Sequence, residues 1–409
     1  MKEIVVNNME KNTWNHLKVN NTKIVAPYIE KEDVEKYIKL KEKNIIIRND
    51  YEEEITNDNN NASEIIEEFK ILDKNFLRNN GYVVHEINSI KEEKTNILTM
   101  KKTDGAILED EEVLDYLEEA KESIEKEDNK IIYEKENILF ASKNDETHMI
   151  EIDNNNIAIK ELNIILEENS SSNIMILVNE NDKKTYRDIK IKISGKDNSS
   201  ANIIIMYGIG RNTFSLDSVY VEGKNTNIHM TYVFLGSDNQ YMKHTTNCME
   251  NAKIIVDGMY ILDDRNILDM MYMAKHEEKN GNTNLLLEGA MLDNSSKLFK
   301  GIIDFKKGST GSVADEKETV MLLSDEAKQK SLPILLSSES DITGNHAATV
   351  GKIDEKKLFY LKSRGIDEEE AAGLLILANF EKILLNIYDE SLREMIKNIL
   401  VGSIIAKKN

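Results

Sequence analysis

In KNTNIHMTYVFLG, residues 224–236, a polar turn leads directly into a run of apolar and aromatic residues. The same arrangement recurs in SSANIIIMYGI, ENAKIIVDGMYIL and GNTNLLLEGAML, and such runs between turn residues are typical of strands. A repeat made of short strands predicts a solenoid of stacked β-coils, with a β-sandwich as the competing architecture. The copies are 25, 26 and 31 residues apart when they are counted from these anchors: Asn202, Asn227, Lys253 and Asn284.

Two further stretches carry the period of two that a strand with one buried face requires. In RDIKIKIS (187–194), isoleucines alternate with polar residues. In FSLDSVYV (214–221), Phe214 and Leu216 form one apolar alternation. After an offset of one residue, Val219 and Val221 form a second. Proline, which removes a backbone donor from a ladder, occurs only twice in the chain, and this scarcity suits long paired strands.

The chain divides into three regions of different character. Residues 131–352 carry the strand pattern and form the predicted β-solenoid core. Residues 1–130 are rich in Glu, Lys and Asn, and we expect a mainly helical N-terminal region there. Residues 353–409 are predicted to form a C-terminal helical domain, with Asp354 as an N-cap and Gly365 as a helix terminator. Within the N-terminal region, apolar residues recur with helical spacing in three segments: 29–43, 62–78 and 110–127.

The charge balance excludes several classes of partner. The formal net charge is −21, from 74 acidic and 53 basic residues. Binding to nucleic acid or to an anionic membrane surface requires clustered Lys and Arg, so we expect neither partner. No apolar run reaches the roughly 18 residues of a membrane helix, and MKEIVVNNMEKNTWNHLKVN (1–20) lacks the pattern of a secretory signal. The single cysteine, Cys248, suits a reducing compartment, and we expect a cytoplasmic protein.

Motifs for nucleotide chemistry are incomplete. GIGRNT (208–213) lacks the third glycine of a dinucleotide fingerprint, and EGKNT (222–226) lacks the upstream glycine of a phosphate loop. We therefore do not expect the chain to be an ATPase itself. The stretch HTTNC places His244 and Cys248 on one face of a strand, but two ligands do not define a metal site. A small buried thiol and a structural histidine at a polar edge are the favoured interpretation.

His346 stands among small residues in GNHAATVGK (344–352). A neutral imidazole is a good ligand for iron or zinc. One histidine cannot hold a metal unaided, so a metal role implies ligands from a second chain. On its spacing in the sequence alone, a structural role is favoured over a metal-binding role.

Two longer stretches resemble a known family. LEGAMLDNSSKLFKGIIDFKKGSTGSVADEKETVMLLSD (287–325) and GNHAATVGKIDEKKLFYLKSRGIDEEEAAGLL (344–375) are similar to the C-terminal half of the SufB/SufD family, components of the SUF iron–sulfur cluster assembly machinery. TWNHLKVN (13–20) resembles an N-terminal stretch of its SufD-type members. The resemblance implies a mainly β fold, with a right-handed parallel β-helix core and a C-terminal helical domain. It also implies a non-enzymatic subunit.

The resemblance implies partners as well. A SufB-like scaffold subunit would pair through the β-helix, with a homodimer through the β-helix as the alternative, and a SufC-like ABC ATPase would dock on the C-terminal helices. His346 matches the histidine of the family motif, a candidate metal ligand shared with the partner chain. No tightly bound cofactor is expected in the isolated chain, and a transient iron–sulfur cluster or iron is expected in the complex. The candidate docking residues for the ATPase are Leu358, Phe359, Tyr360, Arg364 and Gly365.

The sequence also departs from the family pattern. VADEKETVMLLSD (313–325) lacks the scaffold cysteine of SufB-type members, and Gly344 occupies a position where many SufD-type members have a cysteine. These departures favour a SufD-like protein. Two other classes stay open, a structural β-solenoid adaptor and a polysaccharide-active β-helix enzyme. The second is disfavoured because clustered Asp and Arg on one strand face are missing.

Overall fold

Polar turns separate strand after strand along most of the chain. The computed structural model describes residues 3–7, 22–25, 38–48, 51–56, 131–141, 143–152, 157–178, 185–208 and 210–405. The strands that precede the solenoid repeats are β1 (Glu3–Val6), β2 (Thr22–Val25), β3 (Ile38–Arg48) and β4 (Tyr51–Thr56). The repeats comprise β5 (Ile131–Phe140), β6 (Lys143–Ile152), β7 (Ile157–Leu166), β8 (Ser171–Val178), β9 (Thr185–Gly195), β10 (Ser200–Tyr207), β11 (Gly210–Gly223), β12 (Asn227–Phe234), β13 (Ser237–Cys248), β14 (Lys253–Leu262), β15 (Ile267–His276), β16 (Asn282–Met291), β17 (Ser296–Phe305), β18 (Ser312–Leu322), β19 (Lys328–Ser337) and β20 (Ile342–Lys352). The helices are α1 (Glu355–Ser363), α2 (Glu368–Leu384) and α3 (Glu390–Ile405).

Consecutive strands from β5 to β20 alternate between two sheets. The even-numbered strands β6 to β20 form an eight-stranded sheet, and the odd-numbered strands β5 to β19 form a ten-stranded sheet with β3 and β4. Neighbouring strands pair in parallel, apart from the antiparallel pair β3–β4. Each coil thus contributes one strand to each sheet, which confirms the predicted parallel β-helix core. We call the space between the two inner faces the lumen.

The register between coils follows columns of apolar side chains in the lumen. Asn227 pairs with Lys253, as the repeat predicts, but Asn202 pairs with His229 and Asn284 pairs with Ile255. Two of the four anchor positions were therefore wrong by two residues. The pairing instead aligns buried side chains that each contribute about 1.5–3 kcal/mol of burial free energy. One such column consists of Ile203, Met230, Val256 and Leu285.

Asparagines in the left-handed backbone region form the turns at one corner of the solenoid. Asparagine tolerates a positive φ better than other residues that carry a side chain. Between neighbouring coils, Asn251 Nδ2 donates to Asn225 Oδ1 at 2.9 Å, and Asn280 Nδ2 donates to Asn251 Oδ1 at 3.0 Å. The turn residues with φ between 49° and 62° are Asn169, Asn198, Asn225, Asn251 and Asn280.

We expect Asn251→Ala to lower the free energy of unfolding by about 1–2 kcal/mol, because alanine is strained at the φ of 53° found here. Asn251→Gly removes the same side-chain hydrogen bonds but relieves the backbone strain, so it should cost less. Urea denaturation of the two variants measures the difference. An equal loss of unfolding free energy in the alanine and glycine variants would mean that the side-chain hydrogen bonds between asparagines, and not the backbone angle, stabilise this turn.

A buried ion pair explains the offset in the alternation of FSLDSVYV. The inward positions of β11 are Asp217, Val219 and Val221, so the alternation continues without a break and Leu216 lies on the other side. Arg187 is fully buried, and its Nη2 donates to Asp217 Oδ2 at 2.8 Å. The polar residue in the apolar pattern is therefore one member of a charge pair between neighbouring strands.

The C-terminal helices pack on the outer face of the eight-stranded sheet. One apolar cluster joins Phe380 and Ile383 of α2 to Met259 and Ile261 of β14. Asn386 Nδ2 donates to Asp257 Oδ2 at 2.9 Å, and the same oxygen lies 2.9 Å from His229 Nε2. The predicted C-terminal helical domain is confirmed. Among the described helices, none combines the length and apolar character that a membrane crossing requires.

The N-terminal expectation needs one correction. Residues 38–43, part of the predicted helix 29–43, belong to strand β3, which pairs in parallel with β5. Residues 38–43 pair with β5, and Lys43 also pairs with β4, so strand pairing overrides a local helical spacing of apolar residues. The rest of that segment and the predicted helices 62–78 and 110–127 lie outside the described residues. The division of the chain at residues 130 and 352 stays a prediction.

Candidate functional site

The last coil leaves one end of the solenoid without a further coil in the described chain. β20 is the terminal strand of the eight-stranded sheet, and β19 is the terminal strand of the ten-stranded sheet. The outer edge of each strand therefore presents backbone N–H and C=O groups that no other described strand pairs. Such edges are templates for pairing with another chain. We call this region, formed by β19 and β20, the open end.

His346 lies on β20 at the open end. Its neighbour Gly344 faces the lumen, because a side chain there would collide with Phe305 and Leu335. Since alternate residues of a strand share a face, His346 also lies on the inner side of β20. Its side chain is nevertheless exposed, since the described solenoid has no coil beyond it. The sequence placed the histidine at the end of the strand region, and the structure puts it at the rim of the lumen.

Glu316 on β18 is the register partner of His346. It is 3% exposed, and its carboxylate extends across the lumen to β17, where a side chain on Gly301 would collide with it. Within the described part of the chain, Oε2 of Glu316 has no hydrogen-bond partner. Burial, and secondarily the nearby charge of Glu318, raise the pKa of Glu316 to about 8. A carboxyl group is thus held in the wall of the lumen immediately beneath His346.

Glu318, two residues further along β18, is surrounded by partners. Its carboxylate forms an ion pair with Lys297 and accepts a hydrogen bond from Ser331, and all three groups face the lumen. The Tyr260 hydroxyl donates to Glu318 Oε1 at 3.5 Å. Burial lowers the pKa of Lys297, but the adjacent Glu318 carboxylate counteracts this effect. The Glu318 cluster is a satisfied network, so of the two inward glutamates of β18 it is Glu316 that has a carboxyl oxygen without a partner among the described residues.

A complete metal site is not present in the described residues, which contain no group of three or more His, Cys, Asp and Glu side chains able to hold an ion. The donors that the described chain offers at the open end are the imidazole of His346 and, one strand inward, the carboxyl group of Glu316. Both are acceptable ligands for iron. Additional ligands would have to come from another chain or from solvent.

His244 and Cys248 share the inner face of β13, as the sequence indicated, but they lie deeper in the lumen than the open end. His244 is not at a polar edge, because it is buried, with Tyr232 Oη 2.7 Å from Nδ1 and Thr246 Oγ1 2.8 Å from Nε2. Burial lowers the pKa of His244 to about 3 and raises the pKa of the Cys248 thiol to about 12. A neutral imidazole and a protonated thiol in these surroundings are structural groups, and such a thiol is unreactive.

Helix α1 carries the residues that the sequence identified for docking. It begins with Asp354 as the N-cap, whose side chain accepts from Lys356 N and Lys357 N, and it contains no buried residue. Phe359 is 73% exposed, and Tyr360 is 56% exposed, with the Arg364 guanidinium 5.1 Å from the Tyr360 ring centre. Leu358 is half-buried, and Gly365 has a φ of 90° that ends the helix.

A shallow groove runs beside α1 and reaches α2. We call α1 and this groove the α1 surface. Large exposed aromatic side chains next to a groove are typical of a protein-binding surface. The residues that line the groove are Lys356, Lys357, Tyr360, Leu361 and Leu375.

Glu316 was not identified from the sequence, although one signal pointed to it. In SVADEKETVML, Ala314 and Val320 occupy alternate positions, and the two glutamates fall in the same phase between them. A strand that alternates in this way directs Glu316 and Glu318 into the lumen. What the pattern alone does not reveal is that Lys297 forms an ion pair only with the second of these glutamates.

Comparisons with known proteins agree with this architecture. The family model described as SUF system FeS cluster assembly, SufBD core domain, matches residues 148–379. The chain is 28% identical over 252 residues to the iron–sulfur cluster assembly protein SufD of Bacillus subtilis, a match that covers 58% of this chain and 55% of that protein. It is 25% identical over 343 residues to SufD of Plasmodium berghei, which covers 79% of this chain and 25% of that protein.

A SufBD family protein of Mycobacterium tuberculosis is 28% identical over 181 residues, or 42% of this chain and 46% of that protein. The chain therefore spans about half of the length of the bacterial relatives named here. The family model covers more than half of the chain, the parallel β-helix and the C-terminal helices match the expected architecture, and two of the relatives are SufD proteins. The chain belongs to the SufB/SufD family of iron–sulfur cluster assembly proteins, as a SufD-like member.

Proposed function

We propose that the chain is a non-enzymatic, cytoplasmic subunit of an iron–sulfur cluster assembly complex. It pairs with a SufB-like scaffold subunit through the open end of its β-helix and docks a SufC-like ABC ATPase on the α1 surface. The observation that carries the proposal is the position of His346, on the inner side of the terminal strand β20 and exposed at the open end. A partner that extends the solenoid would meet the histidine at the junction.

The terminal strands support pairing with another β-helix. An added coil would satisfy the edge groups of β19 and β20, and would cover residues of β20 that face the lumen yet are exposed, such as His346, Ala348 and Val350. Val350 is 38% exposed although it pairs with the fully enclosed Val320. Burial of such apolar surface by a partner is favourable and would stabilise the complex. A second copy of this chain would meet the same requirements, so a homodimer is the alternative assembly.

Iron or the nascent cluster is the cargo of this complex. His346 supplies an imidazole, and thiolate and carboxylate ligands would come largely from the partner. No stable binding by the isolated chain is expected from this histidine alone, because one ligand does not hold iron. The role of the chain is then to complete a shared site when the two β-helices meet.

The test is to co-express the chain with its SufB-like and SufC-like partners and to compare wild type with His346→Ala. We expect the variant complex to retain the partners and to lose most of its iron and acid-labile sulfide. The isolated chain should change in stability by less than about 0.5 kcal/mol, since the imidazole is exposed. Thr349→Ala, an exposed substitution on the outer side of the same strand, is the matched control and should keep wild-type cluster content.

Two results would count against the proposal. A large drop in melting temperature of the isolated His346→Ala chain, with normal cluster content in the complex, would make His346 a structural residue. A chain that co-purifies with neither partner would favour the structural adaptor instead.

A further inference from the structure

Glu316 and Glu318 occupy equivalent inward positions of β18 but differ in what surrounds them. Glu318 has Lys297, Ser331 and Tyr260 as partners. Glu316 is just as enclosed, at 3% exposure, yet Oε2 contacts no donor in the described residues. The difference cannot be explained by the depth of the two residues in the lumen.

An enclosed carboxyl oxygen without a partner is unfavourable, because the group has lost its bonds to water and has gained none in return. The surroundings of Glu316 are also specific. The carboxylate occupies the space above Gly301, where any larger residue would displace it. Leu285, the register partner of Glu316 on the preceding coil, supplies no hydrogen bond. The chain thus maintains an enclosed acidic side chain whose Oε2 has no hydrogen-bond partner among the described residues.

Glu316 lies near the enclosed Tyr272 of β15 and has His346 as its register partner on β20. Of these two neighbours, only His346 is exposed to an incoming ion. Glu316 and His346 are in register on adjacent parallel strands and lie on the same inner side, so their Cα atoms are about 4.8 Å apart. Side chains at this separation are close enough to bind the same ion. Asp315, next to Glu316, lies on the other side of the strand and accepts from Asn345 Nδ2 at 2.7 Å, so it does not compete for this position.

We propose that Glu316 is a second iron-binding residue of this chain, whose carboxylate acts together with the imidazole of His346 on one ferrous ion at the rim of the lumen. This inference rests on the proposed function, because it assumes that His346 meets iron in the complex. Carboxylate oxygen and imidazole nitrogen are both ligands that divalent iron accepts, and water or partner residues complete the coordination. The chain then contributes two of the ligands, and the partner contributes the rest.

The experiment uses the co-expressed complex in its cluster-free form and Co²⁺ as a spectroscopic probe for the divalent ion. Visible absorption during a Co²⁺ titration reports affinity and ligand type, independently of cluster assembly. We expect Glu316→Gln, which keeps the shape of the side chain but cannot form a carboxylate, to weaken binding at least 10-fold. His346→Ala should weaken binding to a similar extent. Glu288→Gln is the matched control, since Glu288 is also 3% exposed but lies on the outer face of the same sheet, near Lys382.

Glu316→Asp gives a second, independent variant, because it keeps a carboxylate but withdraws it by one methylene. It should bind Co²⁺ more weakly than wild type and more tightly than Glu316→Gln. The inference is overturned if both Glu316 variants bind Co²⁺ with wild-type affinity and spectrum while His346→Ala weakens it. It is also overturned if Glu316→Gln lowers the melting temperature of the complex by more than a few degrees, which would make the carboxylate structural.

The two proposals can fail separately. If His346→Ala leaves both Co²⁺ binding and cluster content at wild-type levels, the role of His346 in the proposed function fails, and the inference about Glu316 fails with it. If only the Glu316 variants behave like wild type, the assembly role of His346 stands without this residue.

Discussion

Replacing Phe359 by alanine is expected to weaken binding of the ATPase subunit at least about 10-fold, and the double substitution of Phe359 and Tyr360 about 30-fold or more. Both rings project from α1, and no residue of that helix is buried in the single chain. An exposed ring makes few contacts within the folded chain, so its loss should leave the fold intact. Its burial against a partner would instead contribute a large part of the binding free energy.

Isothermal titration of the purified ATPase with the wild-type chain and each variant measures the effect. Leu385→Ala is the matched control, because Leu385 is also strongly exposed, at 59%, but lies at the far end of α2. Wild-type affinity in the double variant, with an unchanged melting temperature, would place the docking surface elsewhere. Point variants are preferable to deletion of residues 353–409, since α2 and α3 cover apolar residues of the eight-stranded sheet.

Replacing Asp217 by alanine is expected to lower the free energy of unfolding by about 3–5 kcal/mol, because it removes the carboxylate that pairs with the enclosed Arg187. The Arg187 side chain is fully enclosed, and its Nε and Nη2 both donate to the Asp217 carboxylate, at 3.1 and 2.8 Å to Oδ2. The same carboxylate also accepts from the backbone N of Ile189 at 3.3 Å. Urea denaturation monitored by circular dichroism gives the loss directly.

The double variant Arg187→Met with Asp217→Leu tests the cause. If the broken ion pair is what destabilises Asp217→Ala, removing both charges should recover most of the lost stability, since apolar replacements of buried ion pairs are often neutral. A double variant as unstable as Asp217→Ala would show that packing around the aspartate matters more than the broken ion pair.

Several elements were predictable from the sequence because their signals are local. The polar turns and β-branched runs from residue 187 onward locate the strands, since each residue type acts through its own backbone preference and its immediate neighbours. Asp354 caps α1 and Asp367 caps α2 through hydrogen bonds to N–H groups two or three residues away. Gly365 ends α1 with a positive φ that glycine adopts without strain.

The candidate site was predictable in part. His346 was identified from its small neighbours and from the family motif, and its place at the end of the strand region follows from the chain order. Glu316 was missed because its importance depends on which of the two inward glutamates has hydrogen-bonding partners. That choice is made by Lys297 and Ser331, which belong to other strands and lie 21 and 13 residues from Glu318 in the chain.

The sequence by itself determined that the chain forms stacked strands, where most of them begin, and where the strands give way to helices. Only the tertiary structure decided the register between coils, the strand at 38–43 and the position of Glu316 opposite His346 on the neighbouring strand. The physical reason is that a period of two is unchanged when one coil slides by two residues against the next. The true register minimises the free energy of whole columns of enclosed side chains, and these come from residues that are 26 to 31 positions apart.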